Sequence, residues 1–385
     1  MDLYEYQGKS LFARVGVPVP EGRLAHTVAE AKAAAQELGG PVVIKAQVQV
    51  GGRGKAGGIK LAADHDEAAS YAGDILGMDI KGHTVHRVWV ERASDIKHEY
   101  YASFTLDRGA KKHLAMVSAQ GGVDIEGVAA TDPEAVVKVH IDPVMGLTDW
   151  QARQLVYQAK LDPAIARPAA ATLRKLYQAF VDLDCDLVEV NPLIVTGDDQ
   201  VVALDAKVTI DSNALYRHPD FAEFSETFVV DPIEKMATDR GLNFIKLDGS
   251  VGIMANGAGL AMATLDVVDL VGGAAANFLD VGGSADADAV TDALEVLTQD
   301  ENVAAVLINI FGGIVRCDLV AEGIVEAMTR MELPWPLVVR LDGTNAAEAR
   351  AILDEKAAGK IIPAATMREG AEKAVALAGP KVGVP

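Results

Sequence analysis

The sequence predicts two domains of different class: an α+β domain over residues 1–236, then an α/β domain over residues 237–385 built on a parallel sheet covered on both faces. Three observations carry this. A chain of 385 residues exceeds what one hydrophobic core ordinarily serves. The first part mixes helices with strands that return through tight turns, the order expected of an α+β domain. From about Leu247 the texture changes, and short apolar runs alternate with helical stretches in about five β-then-α units. The boundary falls between Asp231-Pro232 and Gly241, ahead of the first of those strands.

In the first domain, Thr27 and Glu30 form a capping box, an alanine-rich helix follows, and Gly39-Gly40 ends it. Pro41–Val48 reads as a strand and Gly51–Gly58 as a glycine-dense loop. A helix near Asp66–Leu76 precedes strand-like segments at Val85–Arg92, Glu99–Leu106 and Lys112–Ser118. Helical stretches cover Thr148–Leu161 and Ala164–Asp182. Leu187–Val195 and Val201–Val208 flank the turn Thr196-Gly197-Asp198-Asp199, which makes them a hairpin. In the second domain the strands are Ser250–Ala255, Ala276–Val281, Ala304–Ile310, Leu337–Leu341 and Ile361–Ile362. Its helices are Leu260–Val271, Asp286–Gln299, Val315–Met331, Ala346–Ala358 and Met367–Leu377. This is a flavodoxin-like arrangement.

Composition narrows the function. Half the residues are hydrophobic and 23% are charged, which excludes global disorder. Lys and Arg number 35 against 55 Asp and Glu, a formal net charge of −20. So acidic a surface repels nucleic acid and anionic membrane, and anionic ligands are left to local basic or backbone-lined pockets. Two cysteines, Cys185 and Cys317, make neither a disulfide framework nor a thiolate metal site and suit a reducing compartment. Cys317 is read either as a thiol activated by a helix N-terminus or as buried and inert. The opening Met1–Tyr6 has neither a basic region nor an apolar core, and no apolar run approaches about 20 residues, so neither a signal peptide nor a membrane span is expected. A cytoplasmic protein is the expectation.

Several short motifs can carry chemistry. Gly51-Gly52-Arg53-Gly54-Lys55-Ala56-Gly57-Gly58 is no Walker A motif, because Ala56 stands where Ser or Thr is required. Its cations can close over phosphates as a mobile lid does, or it is a solvated loop. Lys45, inside an apolar strand, needs an anionic partner such as a nucleotide phosphate, unless it snorkels from a strand edge. Asn191 and Asp205 lie on the two hairpin strands and offer the few hard oxygens that Mg²⁺ takes when phosphates and water complete its shell. Turn chemistry alone also explains Asn191-Pro192. Asn256-Gly257-Ala258-Gly259 and Phe311-Gly312-Gly313-Ile314-Val315 each join a strand to a helix, either as an anion pocket at the strands' carboxyl ends or as tight packing turns. All eight histidines lie at or before His218, so any covalent phosphohistidine chemistry in the second domain requires a histidine from another chain.

Together these segments resemble the β subunits of succinyl-CoA synthetase (succinate–CoA ligase) over nearly the whole chain. The match includes Leu3-Tyr4-Glu5-Tyr6-Gln7 with Lys9 and Leu11-Phe12, the Gly51–Gly58 loop, and Glu189-Val190-Asn191-Pro192-Leu193. It continues through Asn256–Met262, Asn277–Gly283 and Asn309–Asp318. The resemblance implies an ATP-grasp domain followed by a CoA-ligase domain. It implies nucleotide contacts from Lys45, Gly52, Arg53, Gly54, Glu91, Ser94 and Glu99, with Asn191 and Asp205 as Mg²⁺ ligands. Glu189 matches the catalytic acid that orients the phosphorylated histidine, and Asn256, Gly313, Ile314 and Val315 match a substrate site shared with an α subunit. That α subunit would carry both the phosphohistidine and the CoA site. The implied reaction joins succinate and CoA at the expense of ATP, giving ADP and phosphate, and the helix expected to start at Gly313 would stabilise the phosphohistidine by its dipole. Pro20 sits where relatives differ between ATP and GTP and points to ATP. The rivals are the large subunit of malate–CoA ligase, separable by turnover of malate against succinate, and a non-catalytic nucleotide-binding scaffold, which would need none of Lys45, Arg53, Glu189, Asn191 and Asp205.

Overall fold

The computed structural model describes residues 1–225, 231–283 and 286–379, and the chain divides into two compact units, Met1–Phe228 and Val229–Pro385. The division expected at 236/237 falls inside a helix, Pro232–Asp239, whose Ile233 and Ala237 pack into the core of the second unit.

The first unit runs α1 (Glu5–Arg14), β1 (Gly22–Ala25), α2 (Val28–Leu38), β2 (Val42–Ala46), β3 (Ile59–Ala62), α3 (His65–Ile75), β4 (Asp79–Ile80), β5 (His83–Thr84) and β6 (Val88–Arg92). It continues β7 (Ile96–Asp107), β8 (Lys112–Ser118), α4 (Ile125–Thr131), β9 (Val136–Ile141), α5 (Asp149–Gln158), α6 (Ala166–Asp182), β10 (Cys185–Thr196), β11 (Val201–Ala203), β12 (Lys207–Ile210) and α7 (Ala222–Ser225). Two main antiparallel sheets result, beside the two-stranded pair β4-β5. The smaller is ordered β1-β6-β2-β3, and α2 and α3 cover one face with Ala31, Ala35 and Ile75 against Ile44 and Val90. The larger is ordered β11-β10-β7-β8-β9, with β12 also paired to β10. Phe104, Leu155, Leu173, Leu176 and Phe180 form its core beneath α5 and α6. The predicted capping box at Thr27 is present in part, Thr27 Oγ1 accepting from Glu30 N at 3.2 Å.

The chain start is stitched to the larger sheet. Leu3 N donates to Val208 O at 2.9 Å and Ile210 N to Met1 O at 2.9 Å. Gly8 of α1 then lies so close to β12 that a Cβ there would sit 3.1 Å from the Ala206 methyl. These contacts fix α1 between the two sheets.

The second unit runs α8 (Pro232–Asp239), β13 (Asn243–Lys246), β14 (Val251–Ala255), α9 (Ala258–Leu270), β15 (Asn277–Asp280), α10 (Ala287–Leu297), β16 (Ala305–Gly312), α11 (Cys317–Arg330), β17 (Leu337–Gly343), α12 (Ala346–Lys356), β18 (Ile361–Pro363) and α13 (Met367–Ala378). Sheet order is β13-β15-β14-β16-β17-β18. The last five strands are parallel in the flavodoxin-like order. The strand β13, which the sequence reading leaves out, adds an antiparallel edge. Neighbouring residues of one strand serve opposite cores: Leu307 and Val338 face α9 and α13, while Val306, Ile308, Leu337 and Val339 face α10 to α12. Among the described residues no helix is long and apolar enough to cross a membrane.

At the carboxyl end of this sheet the last residues of two neighbouring strands meet, Gly312 of β16 opposite Gly343 of β17. Gly343 has φ +90°, a conformation that disfavours any side chain, and its missing Cβ would lie 2.1 Å from Gly312 O. Gly343→Ala is therefore expected to destabilise the second unit by about 1–3 kcal/mol, from the cost of an unfavourable backbone region. Thermal unfolding checks it: an unchanged melting temperature would mean that the strand ends repack without strain.

Candidate active site

Alternation along β2 aims Lys45 away from the small-sheet core. Ile44 and Ala46 are buried in that core, so the residue between them points to the opposite face. On β6 the same logic buries Val88 and Val90 and turns Trp89 and Glu91 toward Lys45. The antiparallel register sets Lys45 opposite Trp89 and Val43 opposite Glu91, making Lys45 and Glu91 a diagonal pair. Lys45 Nζ is 2.8 Å from Glu91 Oε1, 2.9 Å from Glu5 Oε1 and donates to Leu204 O at 2.8 Å. The partners of Lys45 in this structure are thus two carboxylates and a main-chain carbonyl of the chain itself.

Arg53 reaches the same place from the glycine loop between β2 and β3. Gly58 closes that loop by donating to Arg53 O at 2.9 Å, and a Cβ on Gly58 would sit 2.8 Å from Ile80 Cδ1 and 3.0 Å from the Ala46 methyl. The loop thereby presses Arg53 inward while Gly52, Gly54 and Lys55 stay exposed. Arg53 Nη1 is 2.5 Å from Glu5 Oε2 and donates to Ala46 O at 3.0 Å; Nη2 is 2.9 Å from Asp205 Oδ1. From α1, one turn beyond Glu5, Lys9 Nζ lies 2.9 Å from Glu5 Oε1 and also bonds Glu91 Oε2. Three cations and three carboxylates thus converge, and all but Asp205 are buried: Glu5 is 3% exposed, Lys45 5% and Glu91 0%.

Burial penalises every charge here, and the partners decide the outcome. Burial pushes the Glu5 carboxyl up, but Arg53, Lys45 and Lys9 together overcome it and hold it well below its ordinary value. Burial opposes the charge on Lys45 as well, yet Glu5, Glu91 and Asp205 keep its ammonium above its usual value. For Arg53 the pull of Glu5 and Asp205 outweighs burial in the same way. Lys9 is held lower than an ordinary lysine, by burial and then by repulsion from Lys45 acting against Glu5 and Glu91.

The hairpin strands set the expected metal pair at facing positions. Leu193 faces Ala203 and Glu189 faces Lys207 in one continuous register, which sets Asn191 opposite Asp205 where β11 gives way to β12. The Asn191–Pro192 peptide bond is cis. The side chain of Asn191 is already engaged: Oδ1 accepts from Gly122 N at 2.8 Å and Nδ2 donates to Val123 O at 2.9 Å. Asp205 Oδ1 accepts from Arg53 and from Ala206 N at 2.8 Å, and the side chain is about one-third exposed. Among the described residues no three His, Cys, Asp or Glu side chains cluster as a metal site. A cation here would therefore draw on these two residues with oxygens from phosphate and water, which is the habit of Mg²⁺.

Glu99 is exposed on β7, its carboxylate lying against Gly122, so it meets the same loop that Asn191 holds. Ser94 is half-buried just beyond β6. Glu189 is half-buried on β10, and the Tyr101 phenol lies 3.1 Å from its Oε2 and 3.0 Å from Ser103 Oγ. Burial and then the Glu189 charge raise the Tyr101 pKa, which keeps the phenol a proton donor.

In the second unit, Asn256 grips the main chain of Phe311, donating to its O and accepting from its N, each at 2.9 Å. Asp280 Oδ1 accepts from Gly257 N at 2.5 Å and Gly282 N at 2.7 Å, joining two further turns. Ile314 is 90% exposed and Gly313 is open, whereas the Val315 side chain packs into the core. The helix expected to start at Gly313 starts at Cys317, with Arg316 as its N-cap, so Gly313, Ile314 and Val315 form a loop ahead of it. Cys317 is buried; burial pushes its thiol up despite the helix N-terminus, and Cys185 is pushed up to about 12.

Comparison with known proteins agrees with this two-part layout. Residues 2–195 match the ATP-grasp domain family and residues 254–375 the CoA-ligase family. A protein from Chloroflexus aurantiacus named succinate–CoA ligase (ADP-forming) subunit beta is 52% identical over 379 residues, 98% of this chain and 99% of that one. Proteins of the same name come from Natronomonas pharaonis, 53% identical over 92% of this chain and 93% of that one, and Rubrobacter xylanophilus, 49% identical over 98% and 99%. The chain belongs to the succinate–CoA ligase β-subunit family. It is accordingly a ligase with an ATP-grasp and a CoA-ligase domain. The ATP citrate lyase of Methanothrix soehngenii shares the fold, at TM-score 0.75 and 20% identity over 97% of this chain and 99% of that one.

Sequence reasoning about single motifs overlooks Glu5 and Lys9 as members of the site, although an i,i+4 acid–base pair on a helix is their signal. The depressed Glu5 carboxyl sets a pH dependence. A carboxylate held below its unfolded value adds stability above that value and loses it as pH falls through the folded one. Urea unfolding of wild type is expected to weaken progressively below about pH 4.5, the ordinary Glu value. Glu5→Gln, which leaves buried cations under-compensated, is expected to cost about 3–5 kcal/mol near neutral pH and to flatten that acid limb. A Gln variant with an unchanged acid limb would exclude Glu5 as its source.

Proposed function

We infer that this chain is the β subunit of an ADP-forming succinate–CoA ligase and that it works in the cytoplasm with an α subunit. The observation that carries the reading is the convergence of Lys45, Arg53 and Asp205, with Asn191 on the facing strand of the hairpin, in the ATP-grasp unit of a chain whose full-length relatives bear that name. ATP phosphorylates a histidine of the α subunit, with ADP leaving. The phosphoryl group passes to a succinate carboxylate oxygen, and the CoA sulfur then attacks the acyl carbon of succinyl phosphate and expels phosphate.

Lys45 and Arg53 are the cations for the nucleotide phosphates, supported by their fixed charge and by the exposed amides of Gly52 and Gly54 beside them. Glu91 is fully buried on Lys9 and Lys45, so its part in nucleotide binding is to hold Lys45 and to offer main chain, while Ser94 and Glu99 are assigned the ribose and adenine side. Asn191 and Asp205 would hold Mg²⁺, which supplies charge neutralisation on transferring phosphates. Glu189, fixed by Tyr101, accepts the N–H of the incoming imidazole and sets its tautomer. Asn256, Gly313, Ile314 and Val315 form the β-subunit side of the succinate site, where Asn256 holds the main chain of Phe311 and the exposed Gly313 is steadied by Thr344 Oγ1 donating to its O at 3.2 Å.

The test is labelling of co-expressed α subunit by [γ-³²P]ATP and Mg²⁺. Acid-labile, base-stable label on α that succinate and CoA discharge supports the reading; discharge by malate but not succinate would transfer the chain to malate–CoA ligase, and assembly without label would make it a scaffold. In the same assay Asp205→Ala is expected to lower the labelling rate by on the order of 100-fold or more while α and β still co-purify. Wild-type labelling by that variant would remove Asp205 from the metal site.

A further inference from the structure

We propose that Glu5 is a positioning residue of the nucleotide site: its carboxylate fixes the Lys45 ammonium and the Arg53 guanidinium in the geometry that receives the phosphates. The proposal rests on the reading of Lys45 and Arg53 as phosphate-binding cations. Each Glu5 oxygen serves a different cation, Oε1 at 2.9 Å from Lys45 Nζ and Oε2 at 2.5 Å from Arg53 Nη1. One cation comes from a rigid strand and the other from a glycine-rich loop, and within this network Glu5 is the group that touches both. An acid repels phosphate, so Glu5 acts through the cations rather than on the nucleotide.

The position of Glu5 is dictated from the far side. Leu3 N bonded to Val208 O and Gly8 packed on Ala206 tie its helix to the stretch that carries Asp205, while its carboxylate reaches the small sheet that carries Lys45. The expected metal ligand and the phosphate-binding cations therefore share one reference point. Lys and Arg side chains are long and rotamer-rich, and without that carboxylate they would have to be ordered at the moment of reaction. Gln47 adds a weaker hold, its Nε2 at 3.4 Å from Glu5 Oε2. Lys9 supplies the compensating third positive charge from the next turn of the same helix.

The test uses the full chain co-expressed with its α subunit and measures single-turnover labelling of α against ATP concentration, together with thermal unfolding. Three variants are compared with wild type: Glu5→Gln, Glu5→Asp, and Glu5→Gln/Lys9→Met, which removes one negative and one positive charge and so keeps the network balanced if the single Gln variant fails to fold. In the folded double variant the maximal labelling rate is expected to fall about 10- to 100-fold, the range seen when an orienting partner behind a ligand is lost. The half-saturating ATP concentration is expected to change less than the rate, because the cations remain but are no longer aligned. Glu5→Asp, one methylene shorter but still anionic, is expected to recover part of the rate. A purely structural role would lower the melting temperature and leave the rate per folded molecule intact; a folded double variant with wild-type rate and half-saturation overturns the proposal. An α chain left unlabelled by wild type overturns the underlying reading, and this proposal with it.

Discussion

The first unit depends on one carboxylate placed where three cations can reach it. Glu5 is buried beneath Lys9, Lys45 and Arg53, and no two of those cations share a secondary-structure element. Like charges this close destabilise one another unless anions intervene, and Glu5, Glu91 and Asp205 do so in a near-dry setting where each interaction is strong. The cost of burying the ions is met by completeness, since breaking any one pair exposes the rest to uncompensated repulsion. The same completeness orders the surrounding elements: α1 lies between the sheets, the glycine loop folds inward, and the β10–β12 hairpin turns Asp205 toward Arg53.

The second unit solves a different problem with different means. Its parallel strands end in turns that must pack main chain against main chain, and here glycine and side-chain amides replace ions. Gly343 fits against Gly312 because neither has a Cβ, Asn256 borrows both backbone groups of Phe311, and Asp280 ties the turns after β14 and β15 together. A loop built this way holds Gly313 and Ile314 outward at the carboxyl end of the sheet, where ligands of parallel α/β folds bind. The polar contacts of Asn256 are satisfied internally, so its contribution is shape more than a free hydrogen bond.

Legibility in the sequence followed periodicity. The second unit's strands are continuous apolar runs separated by capped helices, and these could be read almost to the residue, as β16 and α13 illustrate. β13 was illegible because it is a four-residue edge strand with Asn243 and Ile245 exposed. α1 was illegible for a more instructive reason: its buried face holds Glu5, Gln7 and Lys9 beside Leu11 and Phe12, so the functional charges occupy the positions a hydrophobic stripe would fill. Lys45, Arg53, Asn191 and Asp205 could be found as chemistry-bearing residues because each breaks a local pattern, a charge in a strand or an amide before a proline. What could not be read was that Lys45 and Arg53 already have anionic partners within the chain, since that pairing spans from residue 5 to residue 205. α11 starts at Cys317 rather than at Gly313 or Val315 because Gly312 still belongs to β16, paired with Gly343, and the next four residues are needed to turn the chain from strand to helix.

Charge counting within the network bears on what kind of anion it can accept. Its three cations and three carboxylates balance, and they sit in a chain with a formal charge of −20, so a polyphosphate approaching this unit meets no surplus of positive charge from the network. A nucleotide can still compete for Lys45 and Arg53, but each phosphate oxygen that takes a guanidinium or ammonium hydrogen bond leaves a carboxylate correspondingly less satisfied. Asp205 is the member for which this matters least, because it is the most exposed of the six and can exchange Arg53 for another positive partner. On the proposed reading that partner is a divalent cation arriving with the phosphates, and the net charge of the site then changes little as the nucleotide enters. On that reading nucleotide and metal binding would be coupled through the contact between Arg53 and Asp205, and Glu5, which bonds both Arg53 and Lys45, would limit how far that exchange loosens the site.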